Sequence, residues 1–169
     1  LVIGWSGSHS TEPYVRLLLP LLRELGRRHE FKLLVIGTGN FTADGLNVES
    51  IPWRETSEVS DHRRIDIGLY PLPNEEWVHG KSGLKALQYM ALGIPTIATA
   101  VGANFRVIED QVSGYLVRSD LEWTNCLEKL LEDADLRRDI GTKARERVEK
   151  YYSVKANASV YLDIFKAVY

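Results

Sequence analysis

Apolar residues fall into two rhythms along the chain. Short Val/Ile/Leu runs occur at Leu1–Gly4, Lys32–Ile36, Asn47–Ile51, Asp66–Tyr70, Ile94–Ala98 and Gly114–Val117. Longer segments with helical spacing separate them: about Pro13 to His29, Glu55 to Arg64, Lys81 to Leu92 and a short one over Ala103–Asp110. Strands alternating with helices are the pattern of stacked βαβ units and a parallel sheet. The runs lack strict alternation, as expected of strands covered by helices on both faces.

After Val117 the pattern is helical throughout. Ser119 or Asp120 opens a helix to about Glu132 with Leu127, Leu130 and Leu131 inward. Asp135 is expected to cap the next, with Leu136, Ile140, Ala144, Val148 and Tyr151 as its stripe. Ser153 restarts a last helix bearing Val154, Ala158, Tyr161, Phe165 and Val168. Residues 1–169 therefore read as a single α/β domain. It is a doubly wound, Rossmann-like parallel sheet of about six strands with a helical C-terminal extension.

Size and charge narrow the functions. A chain of 169 residues buries roughly 70% of its unfolded surface and needs no staple to fold. Cys126 is the only cysteine, so neither an internal disulfide nor a Cys-rich zinc site is available. Twenty-one Lys and Arg against 23 Asp and Glu give no basic excess, and no nucleic-acid partner is expected. No uncharged apolar run reaches membrane-spanning length. The chain opens within a strand and without a Met, which reads as a fragment of a longer protein.

In open α/β sheets, ligands bind beyond the carboxyl ends of the strands. Three loops fall there. Gly4-Trp5-Ser6-Gly7-Ser8 has glycines and a hydroxyl suited to a phosphate, or to a tight turn alone. It lacks the Gly-x-Gly-x-x-Gly dinucleotide fingerprint, which disfavours a dehydrogenase. Pro71 to Gly83 leads into a helix through Gly80-Lys81-Ser82-Gly83. A P-loop needs glycine at position 75, which is Glu, so an NTPase is rejected. What survives is a helix N-terminus with free N–H groups and a lysine, an anion site. Lys81, Lys85 and Gln88 share one helix face, and Leu84, Leu87 and Ala91 another, expected against the sheet. The Lys/Lys/Gln stripe fits either a solvated face or a bound dianion, and its position at the rim favours the anion. Ala100 to Asn104 is the third loop, a plain turn or a sugar contact. The four histidines are not at metal-ligand spacing, and no Gly-x-Ser-x-Gly elbow occurs. Trp53, just after strand three, is a core residue or a neighbour of a nucleobase.

Gly83-Leu-Lys-Ala-Leu-Gln-Tyr-Met-Ala-Leu-Gly-Ile-Pro-Thr-Ile-Ala, then Val101-Gly-Ala-Asn and Val112-Ser-Gly-Tyr-Leu-Val, resembles the donor-binding half of retaining family-4 glycosyltransferases of the GT-B fold. It resembles most a bacterial branch with Gly-Trp-x-Gly-Ser in its first loop. The resemblance covers almost the whole chain. It implies one half of a GT-B fold and a nucleotide-sugar donor, UDP- or GDP-linked, with no obligatory metal or other cofactor. Gly7, Ser8, Ser82, Gly83 and Leu84 would lie at the donor phosphates. Gln88, Trp53 and Gly37 would lie at the ribose and base. The family's Glu-x7-Glu pair falls on Gly80 and Gln88, so both carboxylates are missing. The family's Arg and Lys after the first loop are missing too, and Lys81 and Lys85 are expected to supply the catalytic charge.

The resemblance further implies hexosyl transfer with retention, in bacterial polysaccharide synthesis, and a separate N-terminal acceptor-binding domain. This chain alone is expected to bind donor and transfer nothing. The expected location is the cytoplasm, with any membrane association through the other half. Two rivals stand beside this reading: a degenerate domain that binds a partner without catalysis, and a GT-B nucleotide-sugar epimerase.

Overall fold

The computed structural model describes residues 1–73 and 75–168, so Asn74 of the second rim loop and the terminal Tyr169 lie outside the described residues. All six expected strands form: β1 (Val2–Ser6), β2 (Lys32–Gly37), β3 (Val48–Pro52), β4 (Ile67–Tyr70), β5 (Thr96–Thr99) and β6 (Tyr115–Val117). They pair in parallel in the order β3-β2-β1-β4-β5-β6. The order reverses between β1 and β4, which is the topological switch point of the doubly wound fold. Central strands are buried along their length, whereas the edge strand β3 is only half-buried.

The helices depart from expectation where local chemistry intervenes. The segment expected as one helix over 13–29 is two, α1 (Glu12–Arg16) and α2 (Leu19–Gly26). Pro20 has no N–H for the Arg16 carbonyl and its ring crowds that turn, so the chain tightens at Leu17 and Leu18 and restarts. Both pieces still bury one face, with Val15, Leu18, Leu22 and Leu25 in the core. Next come the short α3 (Glu58–His62), α4 (Leu84–Ala91) and α5 (Asn104–Val107), each shorter than expected.

At the C-terminal end lie α6 (Asp120–Glu132), α7 (Ala134–Tyr151) and α8 (Val154–Val168). The α7 cap is Asp133, not Asp135: its carboxylate accepts from the Leu136 N–H at 2.8 Å, the reach of an N-cap to N3. Asp135 instead pairs with Arg138 on the surface. Leu127, Leu130 and Leu131 of α6 are buried as expected. On α8 the apolar residues are uncovered: Val154, Tyr161, Phe165 and Val168 are 88%, 63%, 60% and 75% exposed.

The buried face of α4 also differs from the expected one. Ala86, Tyr89 and Met90 face the sheet, while Leu84 is 59% exposed. The cause is the space over β4. Gly68 has no side chain, and a Cβ there would meet the Tyr89 ring at 2.8 Å. The Tyr89 ring fills that gap, its phenol accepts from the Ser6 N–H at 2.8 Å and it bonds the Ser6 hydroxyl at 3.2 Å. Burial pushes this phenol up to about 12. Tyr89 thereby ties α4 to the carboxyl end of β1, where the site lies.

Candidate anion site at the sheet switch point

A cavity of about 150 Å³ opens where β1 and β4 diverge. Trp5 of β1, Thr11 and Tyr14 of the first helical segment, Tyr70 at the end of β4, and Pro71 and Leu72 just after it form one side. Lys81, Ser82, Leu84, Lys85 and Gln88 form the other. Five of the sequence-derived candidates thus meet in one place.

The approach to α4 explains how they meet. A 3-10 turn over Glu76–Gly80 is followed by extended backbone at Lys81 and a left-handed Gly83 (φ 77°). Lys81 therefore precedes the helix rather than lying on it, yet its side chain reaches the cavity beside Lys85. No side chain caps the helix, and the amides of Ser82, Gly83 and Leu84 have no acceptor among the described residues. Free N–H groups at a helix start, with the positive end of its dipole, favour an anion.

Charge at the cavity points the same way. Neither Lys81 nor Lys85 has a carboxylate partner among the described residues; Lys81 Nζ lies 4.8 Å from the centre of the Trp77 ring. Burial first, and the charge of Lys81 second, hold the Lys85 ammonium below the ordinary lysine range. Two cations sharing a partly buried cavity without a counter-charge form an unsatisfied arrangement that a polyvalent anion relieves. Trp77 is half-exposed, stands 6.2 Å from Tyr14 ring to ring, and donates its indole N–H to Glu75.

The other candidates sit on the same rim without lining the cavity. The Gly7 N–H donates to the Ile36 carbonyl at 2.9 Å, and the Ser8 N–H to the Thr11 hydroxyl at 3.1 Å. Gly37 (φ 134°) lies so close to that loop that a Cβ would stand 1.6 Å from the Gly7 oxygen. Its glycine is explained by backbone contact. Trp53 is 52% exposed beyond β3. In the third loop, buried Asn104 donates to the Thr99 carbonyl at 2.8 Å, and Gly102 packs beneath His79 of the 3-10 turn. This loop supports the second one from below.

Sequence reasoning missed Thr11, Tyr14, Tyr70 and Glu58. The last accepts from Gln88 Nε2 at 3.0 Å across 30 residues, and nothing in the spacing announces it. A larger hollow of about 300 Å³ lies by the edge strand β6, lined by Asp110, Arg118, Glu122 and Lys129 among others. It mixes both charge signs and is remote from the switch point, so it is not the anion site.

Residues 1–133 match the family described as Glycosyl transferases group 1. The chain belongs to that family. This group 1 domain is 37% identical over 86 residues to D-inositol 3-phosphate glycosyltransferase of Salinispora arenicola, covering 50% of this chain and 18% of that protein. The C-terminal domain of a glycosyl transferase group 1 family protein, LpcC, from Francisella tularensis aligns with a TM-score of 0.70 at 23% identity, over 90% of this chain and 86% of that one. HepE from Anabaena, in complex with UDP and glucose, aligns with a TM-score of 0.74 at 15% identity, over 98% and 48% of the two chains. These neighbours establish the fold as that of a GT-B C-terminal-type domain. The matched part spans less than half the length of the curated relatives.

Proposed function

We propose that this group 1 domain is the donor-binding half of a retaining, family-4 type bacterial glycosyltransferase that uses a UDP- or GDP-linked hexose. The observation that carries the reading is the start of α4 at the switch point, where the amides of Ser82, Gly83 and Leu84 and the ammonium groups of Lys81 and Lys85 have no acceptor or carboxylate partner among the described residues. Glycosyl transfer leaves negative charge on the departing diphosphate. Preorganised N–H groups and ammonium groups at that place lower the barrier, as an oxyanion hole does. They supply the charge that would otherwise call for a divalent ion, so no obligatory metal is part of the proposal. HepE, a neighbour in fold, was solved with UDP and glucose, which suits a nucleoside diphosphate here.

The acceptor belongs to a second, N-terminal domain in this reading, and the exposed apolar residues of α8 suit packing against another body. The same helix favours the second reading, a non-catalytic domain that binds a partner. A protein-detected NMR titration with UDP and GDP, without divalent metal, separates the two. Donor binding predicts shifts over Ser82–Gln88 and in the Gly7–Ser8 loop, for a half-site Kd near the millimolar range, about −4 kcal/mol. Absence of shifts with either nucleotide removes the donor-site reading for this chain and leaves the partner-binding one.

A further inference from the structure

Trp77 stands between charges of opposite sign. Lys81 Nζ lies 4.8 Å from the centre of its ring, and the N–H on the ring's edge donates to the Glu75 carboxylate. The 3-10 turn brings the three together: the Val78 N–H donates to the Glu75 carbonyl and the Lys81 N–H to the Val78 carbonyl, each at 3.0 Å. Tyr14 packs against the ring from α1, with centroids 6.2 Å apart and planes tilted by 41°, within the favoured range for aromatic pairs. Glu75 and Glu76 lie on the same short segment as Lys81, yet neither forms an ion pair with it among the described residues. The Glu75 charge is nonetheless felt at the cavity. Burial first, and that charge second, raise the Tyr14 phenol above its ordinary range, and Tyr14 lines the cavity. Trp77 itself forms no part of the cavity wall.

We infer that Trp77 is a positioning residue for Lys81, holding the ammonium on its face and Glu75 at its edge so that the two do not pair. The inference rests on the proposed function and deepens it, because Lys81 is one of the two cations of that site. An aromatic ring attracts a cation through its quadrupole but carries no net charge. An ammonium resting on the ring therefore keeps its field for an incoming phosphate. A carboxylate in the ring's place cancels that field, and an anion then has to displace it before binding. The edge of the indole matters as much as the face. Its N–H is a donor only and takes an acceptor; bonded there, Glu75 is turned to the indole and away from the lysine. Leucine offers neither device, and phenylalanine offers the face alone.

The test is an NMR titration of the 169-residue chain with UDP, GDP and inorganic pyrophosphate, run as a mutant cycle. Trp77 is 51% exposed, so Trp77→Leu is expected to fold. Trp77→Phe, which keeps the ring and loses the N–H, is the second variant, and each is first checked for an intact amide spectrum. Trp77→Leu is expected to weaken binding about fivefold, and Trp77→Phe about twofold. Adding Glu75→Gln is expected to bring Trp77→Leu back to within about twofold of wild type, a larger gain than the same change gives with Trp77 in place. In a Lys81→Ala background, Trp77→Leu is expected to change affinity by less than about twofold. A loss that Glu75→Gln does not reverse, or that persists without Lys81, makes Trp77 a prop of the turn or a ligand contact and overturns the inference. Unchanged affinity in Trp77→Leu overturns it too. A wild-type chain that binds pyrophosphate and neither nucleotide overturns the proposed function, and the pyrophosphate cycle still decides the role of Trp77. Binding of none of the three overturns both.

Discussion

Two glycine-rich loops meet at the switch point, and they spend their backbone donors differently. The loop after β1, Gly4 to Ser8, turns its amides inward: Gly7 donates to Ile36 and Ser8 to Thr11. The loop before α4 leaves the amides of Ser82, Gly83 and Leu84 without acceptors among the described residues and has two lysines beside them. The first loop is held by β2 and by Gly37, the second stands over a cavity. Glycine marks close approach of backbone to something, and the contrast shows that the something can be the protein's own next strand or an open site.

The sharpest way to break the comparison is Gly37→Ala. A Cβ 1.6 Å from the Gly7 oxygen, at a φ of 134°, cannot be accommodated without moving the first loop. A loss of about 4 kcal/mol is expected, read as a lower midpoint in urea, together with displaced resonances at Gly7 and Ser8. An unchanged midpoint would mean that the first loop is not locked by β2.

The second loop is probed through its lysines. Lys81→Ala and Lys85→Ala are each expected to weaken UDP or GDP binding severalfold, and about tenfold where the lost bond is charge-assisted. Unchanged affinity in both would make the open amides incidental. Lys85 adds a pH dependence. Its ammonium is held below the ordinary lysine range, so affinity for diphosphate falls as pH rises through that lowered value. Lys85→Arg, which stays charged, moves the fall to higher pH. The same shift sets a stability sign. The folded chain holds this proton less firmly than the unfolded one, so the charge costs stability below the folded value. That cost fades as pH rises through the window between the folded and unfolded values. Lys85→Met is therefore expected to raise Tm at neutral pH while lowering nucleotide affinity.

Tyr89→Phe tests what joins the two loops. It removes the acceptor of the Ser6 N–H and should cost about 1–3 kcal/mol, the penalty for an unsatisfied buried donor. A neutral outcome would mean that another acceptor takes over at the end of β1.

The chain's own pattern was enough to determine six parallel strands, a switch-point rim and a lysine-bearing helix start. Apolar period and loop glycines are local properties, and an anion site at a helix N-terminus needs only consecutive residues. The resemblance to retaining family-4 glycosyltransferases implied two missing carboxylates, and of that resemblance the group 1 glycosyl transferase family is shown. It did not show the break at Pro20, because a proline in an apolar helical segment reads equally as a kink or a restart. It turned α4 to the wrong face, because the choice between Leu84 and Tyr89 was made by Gly68 on another strand. Tertiary structure alone decided that the amides of Gly7 and Ser8 are engaged while those of Ser82, Gly83 and Leu84 are open among the described residues. It alone brought Glu58 to Gln88 from 30 residues away. Such facts depend on which strand or helix lies alongside, and chain-local spacing carries no record of a neighbour brought in by folding.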